Sequence, residues 1–179
     1  MKMTLERTIL TRSEIQTMVK RVAAELRQEL AGVEEPVFVG VMKGAYIWMA
    51  DLLRELAPDI DLATDYIDVS SYVGTQSTGH LTIVRDLKTD LKNRTVVVLD
   101  EVIDSGLTLR YLKSDFEQRG AKKVYVAVAV DKRPDKSIGG IIPDFIGSDV
   151  PNEFLVGYGM DFEGHYRNLP EVRVLSIEE

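Results

Sequence analysis

The chain contains no cysteine among its 179 residues. This absence excludes disulfide bonds, thiolate metal sites and cysteine nucleophiles together. Histidine is also scarce, and neither His80 nor His165 stands in a pattern that indicates a metal site or a catalytic triad. We therefore expect any bound metal to be held mainly by oxygen atoms.

Long apolar runs are missing as well. No stretch approaches the roughly 20 apolar residues that a membrane helix requires, and residues 1–10 lack the apolar centre of a signal peptide. With 45% hydrophobic and 28% charged residues, the composition is that of an ordinary globular protein. We therefore expect a soluble cytoplasmic protein, folded as a single domain over residues 1–179.

Positive charge is in deficit, since 22 Lys and Arg face 29 Asp and Glu, for a net charge of −7. A broad nucleic-acid surface requires a basic face, so this balance argues against a nucleic-acid partner. A small anionic ligand needs only a few local donors. The composition therefore leaves that class of ligand open.

Two common nucleotide-binding motifs are absent from the sequence. It has no Gly-x-x-x-x-Gly-Lys-Ser/Thr loop, which disfavours an ATPase. It has no Gly-x-Gly-x-x-Gly either, because Gly157-Tyr158-Gly159 is followed by Met160-Asp161-Phe162. A dinucleotide-binding fold therefore lacks its fingerprint.

Apolar periodicity predicts strands that alternate with helices. Thr11-Arg12-Ser13-Glu14 is a capping box and predicts a helix that runs to about Leu30. Helical spacing predicts two further helices, one after Lys43 and Gly44 and one from Gly106 to about Arg119. Short apolar or β-branched runs predict strands at 37–42, 65–71, 80–87, 96–99, 124–130, 145–146, 154–157 and 172–177, with a mobile polar loop at 73–79.

Strands that are apolar on both faces and alternate with helices are typical of an α/β fold. Its sheet is mainly parallel and twisted, with helices covering both faces. In such sheets, ligands bind at the carboxyl ends of the strands. The loops after the strands at 37–42 and 96–99 are therefore candidate ligand sites.

The most informative segment is Asp100-Glu101-Val102-Ile103-Asp104-Ser105-Gly106-Leu107-Thr108, which follows an apolar strand and opens a helix. Backbone N–H groups at a helix start attract phosphate, and the hydroxyls of Ser105 and Thr108 add donors. Asp100 and Glu101 can accept hydrogen bonds from ribose hydroxyls, directly or through a hard cation. An isolated acidic pair would merely solvate a strand end, but this combination favours a ribose 5-phosphate site.

This segment resembles the signature of the phosphoribosyltransferases. Four further segments are similar to the hypoxanthine-guanine branch of that family. They are Gly40-Val41-Met42-Lys43-Gly44-Ala45, similar to its pyrophosphate loop; Ser71-Tyr72, similar to its active-site flap; Asp131-Lys132-Arg133-Pro134, similar to its base-reading corner; and 154–161 with 166–169, similar to its purine and pyrophosphate segment. The resemblance implies the type I fold of that family, with a small hood formed by the N- and C-terminal segments.

The resemblance also implies an activity in purine salvage. This is the Mg²⁺-dependent transfer of the 5-phosphoribosyl group from phosphoribosyl pyrophosphate to hypoxanthine or guanine, giving IMP or GMP and pyrophosphate. Such enzymes usually assemble as homodimers or homotetramers and need no membrane. Two alternatives stay open, a xanthine-preferring transferase and an RNA-binding regulator of the same fold.

Individual roles follow from the same resemblance. Asp104 would handle the purine N7 proton, Lys132 would donate to the 6-oxo group, and Phe154 would stack on the base. Taken alone, these residues would be a helix N-cap, a surface lysine and a core aromatic. The other predicted ligand-binding residues are Lys43, Gly44, Ser71, Tyr72, Asp100, Glu101, Ser105, Gly106, Leu107, Thr108, Leu155, Asp161 and Arg167. Of these, Asp100, Glu101 and Asp161 would also bind magnesium.

Two departures from the family pattern stand out. Asp100 precedes Glu101, whereas the family more often has Glu before Asp, so the division of ribose and metal contacts between them stays open. Ala45 occupies a position where glycine is common. The family often has a non-proline cis peptide bond at the Lys43 loop, and no sequence pattern reveals such a bond.

Overall fold

The structure is a computed structural model that describes residues 2–71 and 81–178, with Ser71 described by its backbone alone. Tyr72, His80 and the loop at 73–79 lie outside the described residues. In chain order the elements are β1 (Lys2–Leu10), α1 (Arg12–Glu29), β2 (Val37–Met42), α2 (Tyr46–Leu56), β3 (Ala63–Ser71), β4 (Leu81–Arg85), β5 (Thr95–Ile103), α3 (Leu107–Gln118), β6 (Lys123–Asp131), a short 3-10 helix (Ile138–Gly140), β7 (Phe145–Asp149), β8 (Leu155–Val156) and β9 (Val172–Glu178).

Six strands form the main sheet in the order β4-β3-β2-β5-β6-β7. Neighbouring strands are parallel except β4, which runs antiparallel to β3. The predicted α/β class with a mainly parallel sheet is therefore confirmed. Because the strands run parallel, the loops that follow β2, β5 and β6 meet at one edge.

Alternate residues of the central strands face opposite helices. Phe38 packs in the cluster that contains the buried side chains of α1 and α2. Val37 and Val39 pack in the other cluster, with Leu112 and Phe116 of α3. The sheet is thus buried on both faces, which is why its strands are apolar runs and do not alternate with polar residues.

The predicted capping box begins α1. The Thr11 hydroxyl accepts from the Glu14 backbone at 3.2 Å, and the Glu14 carboxylate accepts from the Thr11 backbone at 2.8 Å. The helix ends at Glu29, one residue before the predicted limit. In the described part of the chain, no helix combines the length and the apolarity needed to cross a membrane.

A second sheet, with the order β1-β9-β8, forms the hood that the family resemblance implies. Here β1 pairs antiparallel with β9, with Leu5 opposite Leu175. The sequence did not predict β1, because most of its residues are exposed and its pattern carries little hydrophobic signal. The strand exists because a partner from the far end of the chain pairs with it.

Two strand limits differ from the prediction and change where site residues lie. The strand predicted to end at Leu99 continues to Ile103 as β5, so Asp100 and Glu101 stand within it. Pairing with β6 sustains this extension, since Asp100 lies opposite Val128 and Ile103 opposite Asp131. The strand predicted from Phe154 begins only at Leu155.

Candidate active site

A cavity of about 510 Å³ opens at the carboxyl edge of the main sheet. Its lining joins the ends of β2, β3 and β5 to the start of α3 and the segment before β9. The lining residues are Val41, Met42, Lys43, Gly44, Asp68, Val69, Asp100, Glu101, Thr108, Asp161 and Arg167. Seven residues predicted from distant parts of the sequence therefore share one cavity. A larger cavity of about 650 Å³ between α1, α2 and residues 168–170 contains none of the predicted site residues.

Asp100 and Glu101 form an acidic pair without a neutralising cation. The backbone N–H of Glu101 donates to the Asp100 carboxylate at 3.0 Å. Burial, followed by the charge of the adjacent Glu101 carboxylate, raises the pKa of Asp100 well above its usual value. None of the ion pairs among residues 2–71 and 81–178 includes either carboxylate. Such a pair suits ribose hydroxyls or a hard cation.

The loop after β2 touches this acidic pair. The Met42–Lys43 peptide bond is cis, as is often found in the family. A Cβ at Gly44 would overlap the Glu101 carboxylate, so a larger residue there would displace that side chain. Ala45, where family members often have glycine, is fully buried and is the N-cap residue of α2.

A turn from the hood region packs on the same loop. Gly159 has a φ of 98°, and a Cβ at this position would overlap the carbonyl oxygen of Gly44. Arg167 donates through Nη1 to the Gly159 carbonyl at 2.6 Å and pairs through Nη2 with Asp161 at 2.7 Å. The other Asp161 oxygen accepts from the Gly164 backbone at 2.7 Å. These bonds place an arginine and a carboxylate beside the Lys43 loop.

The candidate phosphate cradle is the first turn of α3. Gly106 is the N-cap residue and has a left-handed φ of 75°. The alternative role of Asp104 as the N-cap is therefore wrong. The Ser105 hydroxyl accepts from the Leu107 backbone at 3.4 Å. Because glycine has no side chain to cap the helix, the first-turn N–H groups can face an anion.

The candidate base-reading residues differ in their exposure. The Lys132 side chain is largely buried, at 15% exposure, and its Nζ lies 3.5 Å from Oδ2 of Asp104, which is 70% exposed. Phe154 is 46% exposed and lies edge-on to Phe162, with the ring centroids 5.8 Å apart. It is therefore not the core aromatic that periodicity alone would favour. The Leu155 side chain is buried in the core, which leaves only its backbone for a ligand.

The three candidate magnesium residues line one cavity without forming a closed metal cage. Among the residues that the structure describes, no group of three or more Asp, Glu or His side chains is close enough to hold an ion alone. Magnesium commonly takes one or two carboxylates and completes its shell with water and ligand phosphates. The uncompensated Asp100 and Glu101 fit that pattern, while Asp161 is shared with Arg167.

Asp68 is a lining residue that the sequence analysis did not single out. It lies opposite Met42 in the β2–β3 register, at the carboxyl half of β3. The sequence signal that could have identified Asp68 is a carboxylate within the β-branched and aromatic run at 65–71. That signal is weak, because a strand residue that faces solvent gives the same pattern.

This fold and this cavity are those of a phosphoribosyltransferase, and the phosphoribosyl transferase domain model matches residues 7–163. The hypoxanthine-guanine phosphoribosyltransferase of Bacillus subtilis (strain 168) is 42% identical over 177 residues, which cover 98% of this chain and 96% of that protein. The hypoxanthine-guanine-xanthine phosphoribosyltransferase of Tritrichomonas foetus is 40% identical, with coverage of 96% and 92%. A crystal structure of a hypoxanthine phosphoribosyltransferase from Staphylococcus aureus gives a TM-score of 0.89 at 33% identity, with coverage of 96% and 92%. The chain belongs to the hypoxanthine-guanine phosphoribosyltransferase family.

Proposed function

We propose that the chain acts as one phosphoribosyltransferase domain in purine salvage. It transfers the 5-phosphoribosyl group of phosphoribosyl pyrophosphate to N9 of hypoxanthine or guanine and releases pyrophosphate. The observation that carries this proposal is that one cavity joins the Lys43 loop, the acidic pair Asp100 and Glu101, and Thr108 at the start of α3. These three parts match the pyrophosphate, ribose and 5-phosphate of one substrate.

Each part of the substrate finds a complementary group. The first turn of α3 and the Thr108 hydroxyl bind the 5-phosphate, because a helix N-terminus favours an anion. Asp100 and Glu101 accept hydrogen bonds from the ribose hydroxyls. The Lys43 loop and Arg167 then stabilise the negative charge that develops on the departing pyrophosphate.

The contact between Lys132 and Asp104 supports their roles toward the base. The atoms N7 and O6 are neighbours on one edge of a 6-oxopurine, and Lys132 Nζ and Asp104 Oδ2 are 3.5 Å apart. Asp104 handles the N7 proton while Lys132 donates to O6. Adenine presents a donor at that position, so it would leave the lysine ammonium unpaired.

Magnesium, held by Asp100, Glu101 and Asp161 directly or through water, would supply charge neutralisation on the pyrophosphate. Ser71 and Tyr72 are proposed to exclude water, because hydrolysis competes with transfer. The family resemblance further supports a homo-oligomer located in the cytoplasm. Sedimentation velocity would measure the number of subunits in that assembly.

The test is direct product identification. The chain is incubated with magnesium and phosphoribosyl pyrophosphate plus hypoxanthine, guanine, xanthine or adenine, and the nucleotides are identified by mass. IMP and GMP are expected, and both should disappear with a chelator. The matched control is Asp104→Asn, which should fold normally and lose about 10²–10⁴-fold in rate.

Other product patterns would contradict the proposal in different ways. Xanthine nucleotide alone would indicate a xanthine-preferring transferase. Absence of product with every 6-oxopurine would overturn the enzyme assignment, and salt-dependent RNA binding in that case would favour the regulator. An unchanged rate in Asp104→Asn would remove that residue from the mechanism.

A further inference from the structure

A buried ion pair lies within the base-reading corner, on either side of Lys132, and has no part in the proposed chemistry. The side chains of Asp131 and Arg133 are both 0% exposed. Arg133 donates through Nε to Asp131 Oδ1 at 3.1 Å and through Nη2 to Oδ2 at 2.8 Å. A buried ion pair adds little net stability over apolar residues of similar volume.

The remaining donor of Arg133 fixes a turn. Nη1 donates to the carbonyl oxygens of Ile138 and Ile141, each at 2.7 Å. A planar guanidinium can serve the carboxylate and both carbonyls at once, whereas a lysine ammonium cannot reproduce this fork. Arg133 thus ties both ends of the turn at 138–141 to the end of β6.

This turn lies directly against the candidate phosphate cradle. Gly139 has a φ of 83°, and a Cβ there would overlap the Ser105 carbonyl oxygen and lie 2.9 Å from Cα of Gly106. From the other side, a Cβ at Gly106 would lie 3.1 Å from Cγ2 of Ile141. The Ser105–Gly106 peptide therefore has little room to shift unless the turn shifts with it.

The ion pair also lies at the ends of β5 and β6, next to the site residues Asp104 and Lys132 that follow these strands. Asp131 lies opposite Ile103, the residue before Asp104. The backbone N–H of Lys132 donates to the Ile103 carbonyl at 3.2 Å. The pair is thus linked to the cradle by the turn at 138–141 and by the strand ladder.

We propose that Arg133 is a positioning residue for the 5-phosphate subsite. Through the turn at 138–141 it holds the Ser105–Gly106 peptide in the orientation that binds phosphate. That the bound group is the 5-phosphate of a substrate or nucleotide rests on the proposed function. Loss of the guanidinium fork should weaken ligands that carry a 5-phosphate and spare pyrophosphate, which binds at the Lys43 loop.

The first experiment compares Arg133→Lys with the unchanged chain. Calorimetry on the full-length protein, with magnesium, measures the Kd of IMP and the Kd of pyrophosphate. We expect the Kd of IMP to rise roughly tenfold, as for one lost hydrogen bond to a charged group, and the Kd of pyrophosphate to stay within about twofold. Circular dichroism and the Tm report whether the variant is folded at the temperature used.

Arg27→Lys is the matched control. Arg27 pairs with Asp59 at 2.8 Å and donates to the Glu55 carbonyl, at the end of the sheet away from the cavity. This variant should lose stability and keep both affinities. If Arg133→Lys likewise lowers only the Tm and keeps its affinity for IMP, its role is purely structural and the inference is overturned.

A glycine pair tests the same idea without touching the ion pair. Gly139 and Gly140 both have positive φ, 83° and 66°, so alanine adds backbone strain at either position. A Cβ at Gly140 meets only the movable Arg110 side chain, with Nη1 at 3.2 Å. Gly139→Ala should weaken IMP binding, and Gly140→Ala should not. Equal losses in both variants would overturn the inference, even if Arg133→Lys fails to fold.

The outcomes separate this inference from the proposed function. An unchanged chain that binds neither IMP nor pyrophosphate and forms no nucleotide overturns the proposed function, and the inference with it. An unchanged chain that binds IMP, with Arg133→Lys and Gly139→Ala binding it equally well, overturns the inference alone.

Discussion

Asp100 and Asp131 lie on neighbouring parallel strands, near the same edge of the main sheet, and their environments are opposite. Asp131 is fully buried and faces Arg133 at 2.8 Å and Lys136 at 3.3 Å. Although burial opposes its ionisation, hydrogen bonds from Arg133 and Lys136 lower the pKa of Asp131. Asp100 is half-buried and faces another carboxylate, and its pKa is raised. One carboxylate is neutralised by the fold and the other is not.

This difference separates a structural carboxylate from one prepared for a ligand. The fold supplies Asp131 with its counter-charge, so it has no need of a ligand. The acidic pair lacks a counter-charge within the described residues, and an arriving cation or ribose can relieve its repulsion. Charge compensation, and not residue type, therefore distinguishes the two strand ends.

The largest expected effect is on stability and comes from substituting Asp131, the carboxylate that the fold neutralises. Asp131→Ala leaves the Arg133 guanidinium buried and unpaired, so the free energy of unfolding should fall by about 3–5 kcal/mol. Urea denaturation measures this loss. Removing both charges with Asp131→Leu and Arg133→Leu should recover only part of the stability, because the Ile138 and Ile141 carbonyls still lose their donor. A loss below about 1 kcal/mol in Asp131→Ala would show that the pair is not isolated from solvent.

For the uncompensated pair, Asp100 and Glu101, substitution should change activity more than stability. Glu101→Gln removes a proposed magnesium residue, so the magnesium concentration needed for half-maximal transfer should rise at least about tenfold. The Tm should change little. Glu117→Gln is the control, since Glu117 is a carboxylate on α3 that pairs with Lys113. Equal magnesium dependence in both variants would contradict the metal assignment.

A smaller effect is expected on stability from the same pair. Asp100→Asn removes a carboxyl group whose ionisation beside Glu101 is unfavourable in the fold, so the free energy of unfolding at pH 7 should rise by up to about 1 kcal/mol. Chemical denaturation without magnesium or ligand measures this change. A clear loss of stability would show that Asp100 is compensated by the fold, as Asp131 is.

The subtlest effect is the opposite pH dependence of the two positions. Asp100 has a raised folded pKa, so its ionisation destabilises the fold as the pH rises above its usual value of 3.8. The advantage of Asp100→Asn should therefore grow with pH and vanish in acid. Asp131 has a lowered folded pKa, so its stabilisation is present above 3.8 and is lost as the pH falls. The deficit of Asp131→Asn should therefore shrink in acid. Parallel pH profiles of the two variants would break the comparison.

The sequence by itself determined the alternation of elements and the central motif. The Thr11 capping box, the apolar strands and the Asp100 to Thr108 segment were predictable because their signals come from residues close together along the chain. The pattern of each is local, although the strands themselves form by pairing with distant partners. The α/β class was predictable for the same reason and is confirmed, whereas the hood, which is also confirmed, was expected only from the family resemblance.

Only the tertiary structure decided which of these residues meet. The strand β1, the place of Asp68 in the cavity, the burial of Asp131 with Arg133, and the contact of Gly139 with Ser105 all depend on residues from distant parts of the chain. The sequence pattern around an aspartate does not show whether a cation neutralises it in the folded protein. The difference lies in the desolvation and counter-charge that packing supplies, and these exist only once the chain has folded.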